Sequence, residues 1–455
     1  MPTFIAIIDI GKTHSKLTFV DAGTGKVSAS HRHANASLDT SIGRQLDVAG
    51  IERWLIERLR SAPQTSEVAA LVPIAHGATA VLLDAHGTVV AAPDYEDPRF
   101  ESINDEYARQ RDPFAATLSP SLPLGLNLAR QLFYLQHATQ AFERAAHILL
   151  YPQYWAWRFC GVLASEATSL GCHTDLWLPA QGEFSALART NGWDRLLPPV
   201  RSAQSTLGTV SDAMAAATGL PRHCRVICGI HDSNASYLQH LIERPREEPF
   251  AVVSSGTWTV IMANRGNLDH LDERRDMLAN VDAFGSPVPT ARFMGGREYE
   301  AIAGRADAAA TLDDVQAIVQ RHAFAIPAFA PAGPFPEAQG RLIEASNLSD
   351  TQRQALASLY CALLSDLVLD ALGASGEFLV DGPFGSNTLF LSLLASWRPH
   401  SRILSRSAGG ACTRAAAYLA GFDIPAEDHY DIATASNVTG LDDYRLEWRN
   451  KLPAP

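Results

Sequence analysis

The chain alternates short apolar runs of strand length with stretches whose apolar residues recur at helical spacing, and it does so from end to end. The first run, Phe4-Ile5-Ala6-Ile7-Ile8, is continuous in the way that a strand buried on both faces requires. It breaks at Asp9-Ile10-Gly11-Lys12-Thr13 and resumes with β-branched and aromatic residues through Val20. The same design returns over residues 250–262, with Ser254-Ser255-Gly256-Thr257 at the break. Each segment reads as a tight hairpin whose tip presents backbone N–H groups and hydroxyls.

Between the hairpins the pattern predicts a third strand over 26–33, a helix over 42–61 and a buried strand over 67–74. Two apolar runs, 80–83 and 88–91, flank the turn Asp84-Ala85-His86-Gly87 and form a hairpin. Helical periodicity over 124–137, an aromatic segment over 151–159 and a strand over 225–230 complete a first α/β domain. After the second hairpin come helices near 297–305 and 312–321, and a long helix over 350–372 that Gly373 stops. A strand at 377–380 follows, the break at 382–387 opens another helix, and a last helix runs over 410–419. The charged, Pro-bounded stretch 242–249 marks the boundary, giving domains 1–245 and 246–455. A repeated hairpin at the start of each half points to a duplicated α/β domain with a ligand in the cleft between the halves.

Composition narrows the function classes. A chain of 455 residues with 47% hydrophobic and 19% charged residues has enough apolar material to be folded throughout. Its net charge of −12 argues against nucleic acid, whose phosphates call for clustered Lys and Arg. The N-terminus lacks a basic leader, and no apolar run approaches the roughly 20 residues that span a bilayer, so a cytoplasmic protein with no membrane partner is expected. Six cysteines show no framework spacing; Cys224 and Cys228 lack the second pair that a zinc site needs, and read as buried hydrophobes.

Two glycine-bearing tips with hydroxyl and amide donors suit a polyphosphate, because glycine lets the backbone approach an anion closely. Gly11-Lys12-Thr13 is not a Walker loop: the first glycine of that motif is missing and strand residues follow. Asp9, ending the first strand, is instead a candidate for binding hydrated Mg²⁺ of Mg-ATP. Phosphoryl transfer to a hydroxyl also needs a carboxylate that can take its proton. Gly229-Ile230-His231-Asp232 follows a strand and opens a helix, which makes Asp232 a candidate; helix capping is the plainer role for it, and on residue type alone another Asp or Glu serves equally.

The ordered set Asp9-Ile10-Gly11-Lys12-Thr13-His14-Ser15-Lys16, His76-Gly77-Ala78-Thr79, Gly229-Ile230-His231-Asp232, Ser254-Ser255-Gly256-Thr257-Trp258 and Gly382-Pro383-Phe384-Gly385-Ser386-Asn387 resembles the FGGY carbohydrate kinases over nearly the whole chain. The resemblance implies a two-domain actin-like, ribonuclease-H-type ATPase fold with the active site in the inter-domain cleft, ATP and Mg²⁺ as cofactors, and phosphorylation of a sugar hydroxyl. It implies Asp232 as catalytic base and Asp9 beside the metal. Gly11, Lys12, Thr13 and Lys16 match the first nucleotide motif, Ser255, Gly256 and Thr257 the second, and Gly382, Gly385, Asn387, Gly409 and Gly410 the adenosine side. His231-Asp232 with the downstream Ser-Ser-Gly-Thr-Trp is most similar to the rhamnulokinase and fuculokinase branches, which implies a deoxy-ketose such as L-rhamnulose or L-fuculose. His76, Gly77, Tyr95 and Asp97 look more like the xylulokinase substrate segment, which with His231 would face the sugar; a xylulose, ribulose or polyol kinase is therefore the alternative.

Pro383 and Phe384 interrupt the family's glycine run, which motivates a second alternative, a sugar-sensing pseudokinase. An actin-like ATPase acting on protein is a third, disfavoured by the sugar-like segment and by Asp232. Arg292–Glu298 has no family counterpart; its adjacent glycines and arginines suit either a phosphate site or a simple turn, and the turn is the reading taken. The assembly state is open, a homodimer being one form it allows.

Overall fold

The computed structural model describes residues 3–304, 309–406, 411–425 and 430–453. The chain forms two compact units, one of residues 1–243, 279–287 and 410–426, the other of 244–278, 288–409 and 427–455. Two short segments of the second half thus belong to the first unit.

The first unit is built on a sheet in which Thr206–Thr209, Arg225–Ile227, Val68–Ala75, Phe4–Ile10, His14–Asp21 and Val27–Ala34 lie side by side in that order. Phe4–Ile10 is central, antiparallel to His14–Asp21 and parallel to Val68–Ala75, which is why its apolar run is unbroken. Helices cover the sheet: Val48–Ser61 buries Val48, Ile51, Leu55 and Leu59, and Tyr151–Cys160 buries Tyr151, Tyr154, Trp155 and Phe159. The helix expected over 42–61 is shorter than its pattern suggested. Gly43–Leu46 pairs with Ser37–Thr40 as a hairpin, and Asp47 then caps the helix through the Gly50 N–H at 2.8 Å. The strand expected over 225–230 breaks at Gly229, whose φ of +86° no β-branched residue would adopt and where a Cβ would lie 2.3 Å from the Pro73 carbonyl. A separate apolar cluster, including Leu82, Phe100, Leu132, Phe133, Ile148 and Trp193, forms a smaller body within this unit around Ala80–Leu83, Val89–Ala91 and His147–Leu150. Cys224 and Cys228 are fully buried and unbridged, as expected of small hydrophobes.

The second unit repeats the plan. Asp431–Ile432, Ile403–Ser405, Glu377–Asp381, Phe250–Ser255, Thr259–Asn264 and Pro287–Phe293 lie in that order, with the same alternation of parallel and antiparallel pairs as in the first sheet. Its core centres on Asp350–Ala371, a 22-residue helix opened by a Ser349/Gln352 capping box. This helix is long and apolar enough to cross a bilayer, which the sequence reading did not anticipate, yet 78% of its most apolar window is buried inside the unit. Asp366 on that helix is fully buried and accepts from Arg398, Arg445 and Arg449 at 2.6–2.7 Å, clamping the C-terminal helix Leu441–Asn450. Asp370, one turn on, pairs with the same three arginines, so two carboxylates share the three guanidinium groups.

Candidate active site

In each sheet the polar tips gather at the carboxyl ends of neighbouring parallel strands, the place where open α/β sheets bind ligands. In the first unit the register sets Asp9 opposite Ile74, and Ile74 opposite Ile230. Asp9, the His76–Thr79 segment and His231-Asp232 therefore leave the sheet side by side.

Asp232 is the first residue of the helix Asp232–Leu241, whose N-cap is His231. Its side chain does not cap that helix. Oδ1 accepts from the Ser233 N–H at 2.6 Å and the Ser233 hydroxyl at 3.2 Å, and lies 3.1 Å from His231 Nε2. Oδ2 has no partner among the described residues, and the side chain is 37% exposed. Burial, and next the charge of Asp232, push the Asp9 carboxyl up to about 6, against the opposing pull of Lys16 across the hairpin. Burial also holds the His76 and His231 imidazoles below the usual histidine range, so both are neutral at pH 7.

His76 packs edge-on to Tyr95 and Tyr151, with centroids 5.7 and 4.9 Å away. Gly77 leaves room for this cluster: a Cβ there would stand 2.6 Å from Cys172 Sγ. Two nearby residues are engaged by the protein itself. Lys12, expected to touch nucleotide, lies 2.8 Å from Asp94 and 3.3 Å from Glu96, with Nζ 5.3 Å above the Tyr95 ring. The carboxylate that holds it, Asp94, is 1% exposed and also accepts from the Ser37 hydroxyl. Asp97, expected to face the sugar, spends both oxygens on the backbone, accepting from Arg44 N–H at 2.6 Å and Arg99 N–H at 3.0 Å. The run Asp94-Tyr95-Glu96-Asp97 advertises a carboxylate, but local pattern cannot say which one turns inward. Of the rest of the first tip, Gly11 closes the turn through its N–H to the His14 carbonyl at 3.0 Å, while Thr13 and Lys16 are exposed.

In the second unit Ser255, Gly256 and Thr257 border a cavity of about 580 Å³ with Gly296, Arg297, Tyr299, Glu300, Pro383, Phe384 and Asn387. Ser255 ties tip to break: its hydroxyl donates to the Asp381 carbonyl at 2.6 Å and accepts the Phe384 N–H at 2.9 Å. Gly382 sits so close, at φ +75°, that a Cβ would fall 1.9 Å from the Ser255 carbonyl, and at Gly385 one would lie 2.6 Å from the Val380 carbonyl. Asn387 caps the helix Thr388–Trp397 through Phe390 N–H and donates to Ser358. Pro383 and Phe384, which interrupt the expected glycine run, are absorbed as a 3-10 turn with Phe384 stacked on Phe390 at 4.6 Å.

The segment expected as a turn over 292–298 is a strand end followed by the helix Gly295–Ala303. Its paired glycines are the signal: a Cβ on Gly295 would lie 2.2 Å from Thr259 Oγ1, and on Gly296 2.5 Å from the Gly256 carbonyl. They let the helix start against the hairpin tip and carry Arg297 to the cavity. Arg292 is engaged elsewhere, with Asp276 at 3.1 Å. Behind this helix Glu298 is buried against the Tyr360 hydroxyl and pushed up to about 7 by burial. Gly409 and Gly410 lie outside the described residues.

The N-terminal-domain model of the FGGY family of carbohydrate kinases matches residues 4–238, and the model described as carbohydrate kinase FGGY, C-terminal domain, matches 247–428. An L-fuculokinase of Salmonella typhi is 26% identical over 276 residues, 58% of this chain and 57% of that one, so the match spans little more than half of the relative. A carbohydrate kinase from Novosphingobium aromaticivorans superposes with a TM-score of 0.89 at 33% identity, covering 99% of this chain and 98% of the other. A ligand-bound xylulose kinase from Lactobacillus acidophilus shares the fold at 14% identity, with a TM-score of 0.76 over 98% of this chain and 96% of its own.

Proposed function

The chain belongs to the FGGY family of carbohydrate kinases, and we propose that it transfers the γ-phosphate of ATP to a sugar hydroxyl with Asp232 as the base. The observation that carries this reading is the asymmetry of Asp232: both donors of Ser233 engage Oδ1, while Oδ2 has no partner among the described residues and the side chain is 37% exposed. The acceptor hydroxyl gives its proton to Oδ2 as its oxygen bonds to the γ-phosphorus, and the bond from that phosphorus to the bridging oxygen breaks to release ADP. His76 and Tyr95 offer a polar edge and an aromatic face to the sugar, with the Lys12–Asp94 pair setting the position of Tyr95.

The residues fit Mg-ATP. Asp9 beside Asp232 concentrates negative charge that a divalent cation would offset, and among the described residues no three His, Cys, Asp or Glu side chains converge, so Asp9 would hold a largely hydrated ion. When bound, Mg²⁺ neutralises phosphate charge. Thr257, the Gly256 backbone and Arg297 supply donors for an anion in the second unit's cavity. A deoxy-ketose of the L-fuculose or L-rhamnulose series leads as substrate, supported by the fuculokinase relative; xylulose, ribulose and polyols are the alternatives. The test is ADP release with a panel of L-fuculose, L-rhamnulose, D- and L-xylulose, D- and L-ribulose and erythritol. Stimulation by one sugar that is lost in Asp232→Asn is expected; sugar binding with no stimulation would favour a sensor.

A further inference from the structure

The cavity of the second unit is polar at one end and apolar at the other. At the tip end stand the Gly256 backbone, Thr257 and Arg297, the donors that the proposed function gives to phosphate. Glu300 follows Arg297 by three residues on the helix Gly295–Ala303, which puts it on the same face and about 4.5 Å further from the tip. Its carboxylate lines the cavity and has no hydrogen bond or ion pair among the described residues. Phosphate binding leaves this acid without a task.

The other end is made by the break at 382–387, which spends its polar groups on the protein. Pro383 has no N–H, the Phe384 N–H goes to the Ser255 hydroxyl at 2.9 Å, the Gly385 N–H to the Gly382 carbonyl at 2.9 Å and the Asn387 N–H to the Phe384 carbonyl at 3.1 Å. The Asn387 side chain accepts from the Phe390 N–H and donates to the Ser358 hydroxyl, both at 3.0 Å, and the Tyr299 hydroxyl lies beside that same Ser358. Ser386 borders a separate cavity. What the break and the helix turn to this end is Pro383 and two rings, Phe384 and Tyr299, with centroids 6.3 Å apart.

With ATP in this cavity, a premise carried over from the proposed function, we infer that the nucleotide is recognised at its ribose and not at the edge of its base: Glu300 accepts from the 2′- and 3′-hydroxyls, while Pro383, Phe384 and Tyr299 pack on the faces of the base. A nucleotide carries its anion, its diol and its ring in that order, and Arg297, Glu300 and the aromatic wall follow one another in the same order. Stacking tolerates a change of base because every base has a π-face, whereas a carboxylate facing a ligand that lacks its hydroxyl loses a charge-assisted hydrogen bond. Pro383 and Phe384, where the family's glycine run is interrupted, thus supply apolar contact in place of backbone donors. The consequence is a kinase that prefers ribonucleotides to 2′-deoxyribonucleotides and uses purine bases interchangeably.

Calorimetric titration of the full chain, in Mg²⁺, with ADP, GDP, inosine diphosphate and 2′-deoxy-ADP needs neither sugar nor turnover. The wild type is expected to bind ADP, GDP and inosine diphosphate within about threefold of one another and 2′-deoxy-ADP about tenfold more weakly. Glu300→Ala should weaken ADP about tenfold and bring ADP and 2′-deoxy-ADP together, whereas Glu300→Gln, which keeps an acceptor oxygen, should retain the ribose preference. Tyr299→Phe should leave the ratio of ADP to GDP affinity unchanged. Thermal unfolding of Glu300→Ala is expected to match the wild type, since the residue is an exposed helix position, so that lost affinity is not lost fold. GDP or inosine diphosphate binding more than about tenfold more weakly than ADP overturns the indifference to the base. Equal wild-type affinity for ADP and 2′-deoxy-ADP, or a ribose preference that survives Glu300→Ala, overturns the role of Glu300. Failure of every nucleotide to bind removes the ATP site and the inference together; nucleotide binding as expected with no sugar stimulating ADP release leaves the inference standing and removes the kinase reading alone.

Discussion

The two units share one strand order, and each places a three-residue hairpin tip at the carboxyl ends of its parallel strands, yet the tips carry opposite chemistry. The first unit gathers carboxylates and neutral imidazoles there: Asp9, Asp232, His76 and His231. The second gathers donors: backbone amides, Thr257 and Arg297 around a cavity. The first tip's own lysine, Lys12, is paired with Asp94, so in this structure the Gly-Lys-Thr segment is tied to the acidic segment. The same place in each sheet is used in both units, and on the proposed reading its side chains give proton handling to the first and anion handling to the second.

The hardest test of this division is Asp232→Asn. It should cut kcat by roughly 10²–10⁴-fold with ATP affinity, measured by calorimetry, unchanged; near-normal turnover would break the assignment of proton chemistry to the first unit. Next in size is Gly382→Ala, where positive φ and a Cβ 1.9 Å from a carbonyl oxygen should cost about 3 kcal/mol or more in denaturant unfolding. Gly11→Ala, whose Cβ would meet its nearest atom at 3.0 Å with no positive φ, should cost less than about 1 kcal/mol, and equal losses would show that the first tip is as tight as the Gly382 turn beside the second.

Glu298 gives the second unit a pH signature. Its folded pKa, about 7, lies above its ordinary 4.5, so its contribution to stability is fully present below about pH 4.5 and is lost as pH rises through 7. Unfolding at pH 5 and pH 8.5 should therefore show Glu298→Gln gaining on the wild type by about 2 kcal/mol at the higher pH, and parallel curves would refute it. The smallest expected effects sharpen the comparison most. Arg297→Ala should raise the KM for ATP about tenfold and leave that for sugar alone, while Lys12→Met should do the reverse; a rise in ATP KM in the lysine variant would return Lys12 to the nucleotide.

Much of the fold was legible because its signals are local. The continuous run at Phe4–Ile10, the turn at Asp84–Gly87 and the helix stop at Gly373 each lie within a few residues of what they control. The helix expected over 42–61 failed for the same reason in reverse. Residues 43–46 have helical spacing, yet Gly43–Leu46 pairs with Ser37–Thr40, and the Asp47 cap resets the start. The Gly295–Gly296 pair was visible but ambiguous, since adjacent glycines serve a turn as well as a close helix approach, and only the neighbouring Gly256 and Thr259 decide between them.

The sequence by itself determined the two hairpins, their order, the acid that opens a helix at Asp232 and the family these imply, because spacing along the chain encodes them. Tertiary structure alone decided that Asp94 rather than Asp97 turns toward Lys12, that Arg297 reaches the cavity, and that both nitrogens of His231 are taken, by Asn234 and Cys172. Those outcomes depend on contacts between residues separated by tens of positions, such as Lys12 with Asp94 and Thr168 with His231, where burial and hydrogen-bond satisfaction choose among side chains of equal local promise.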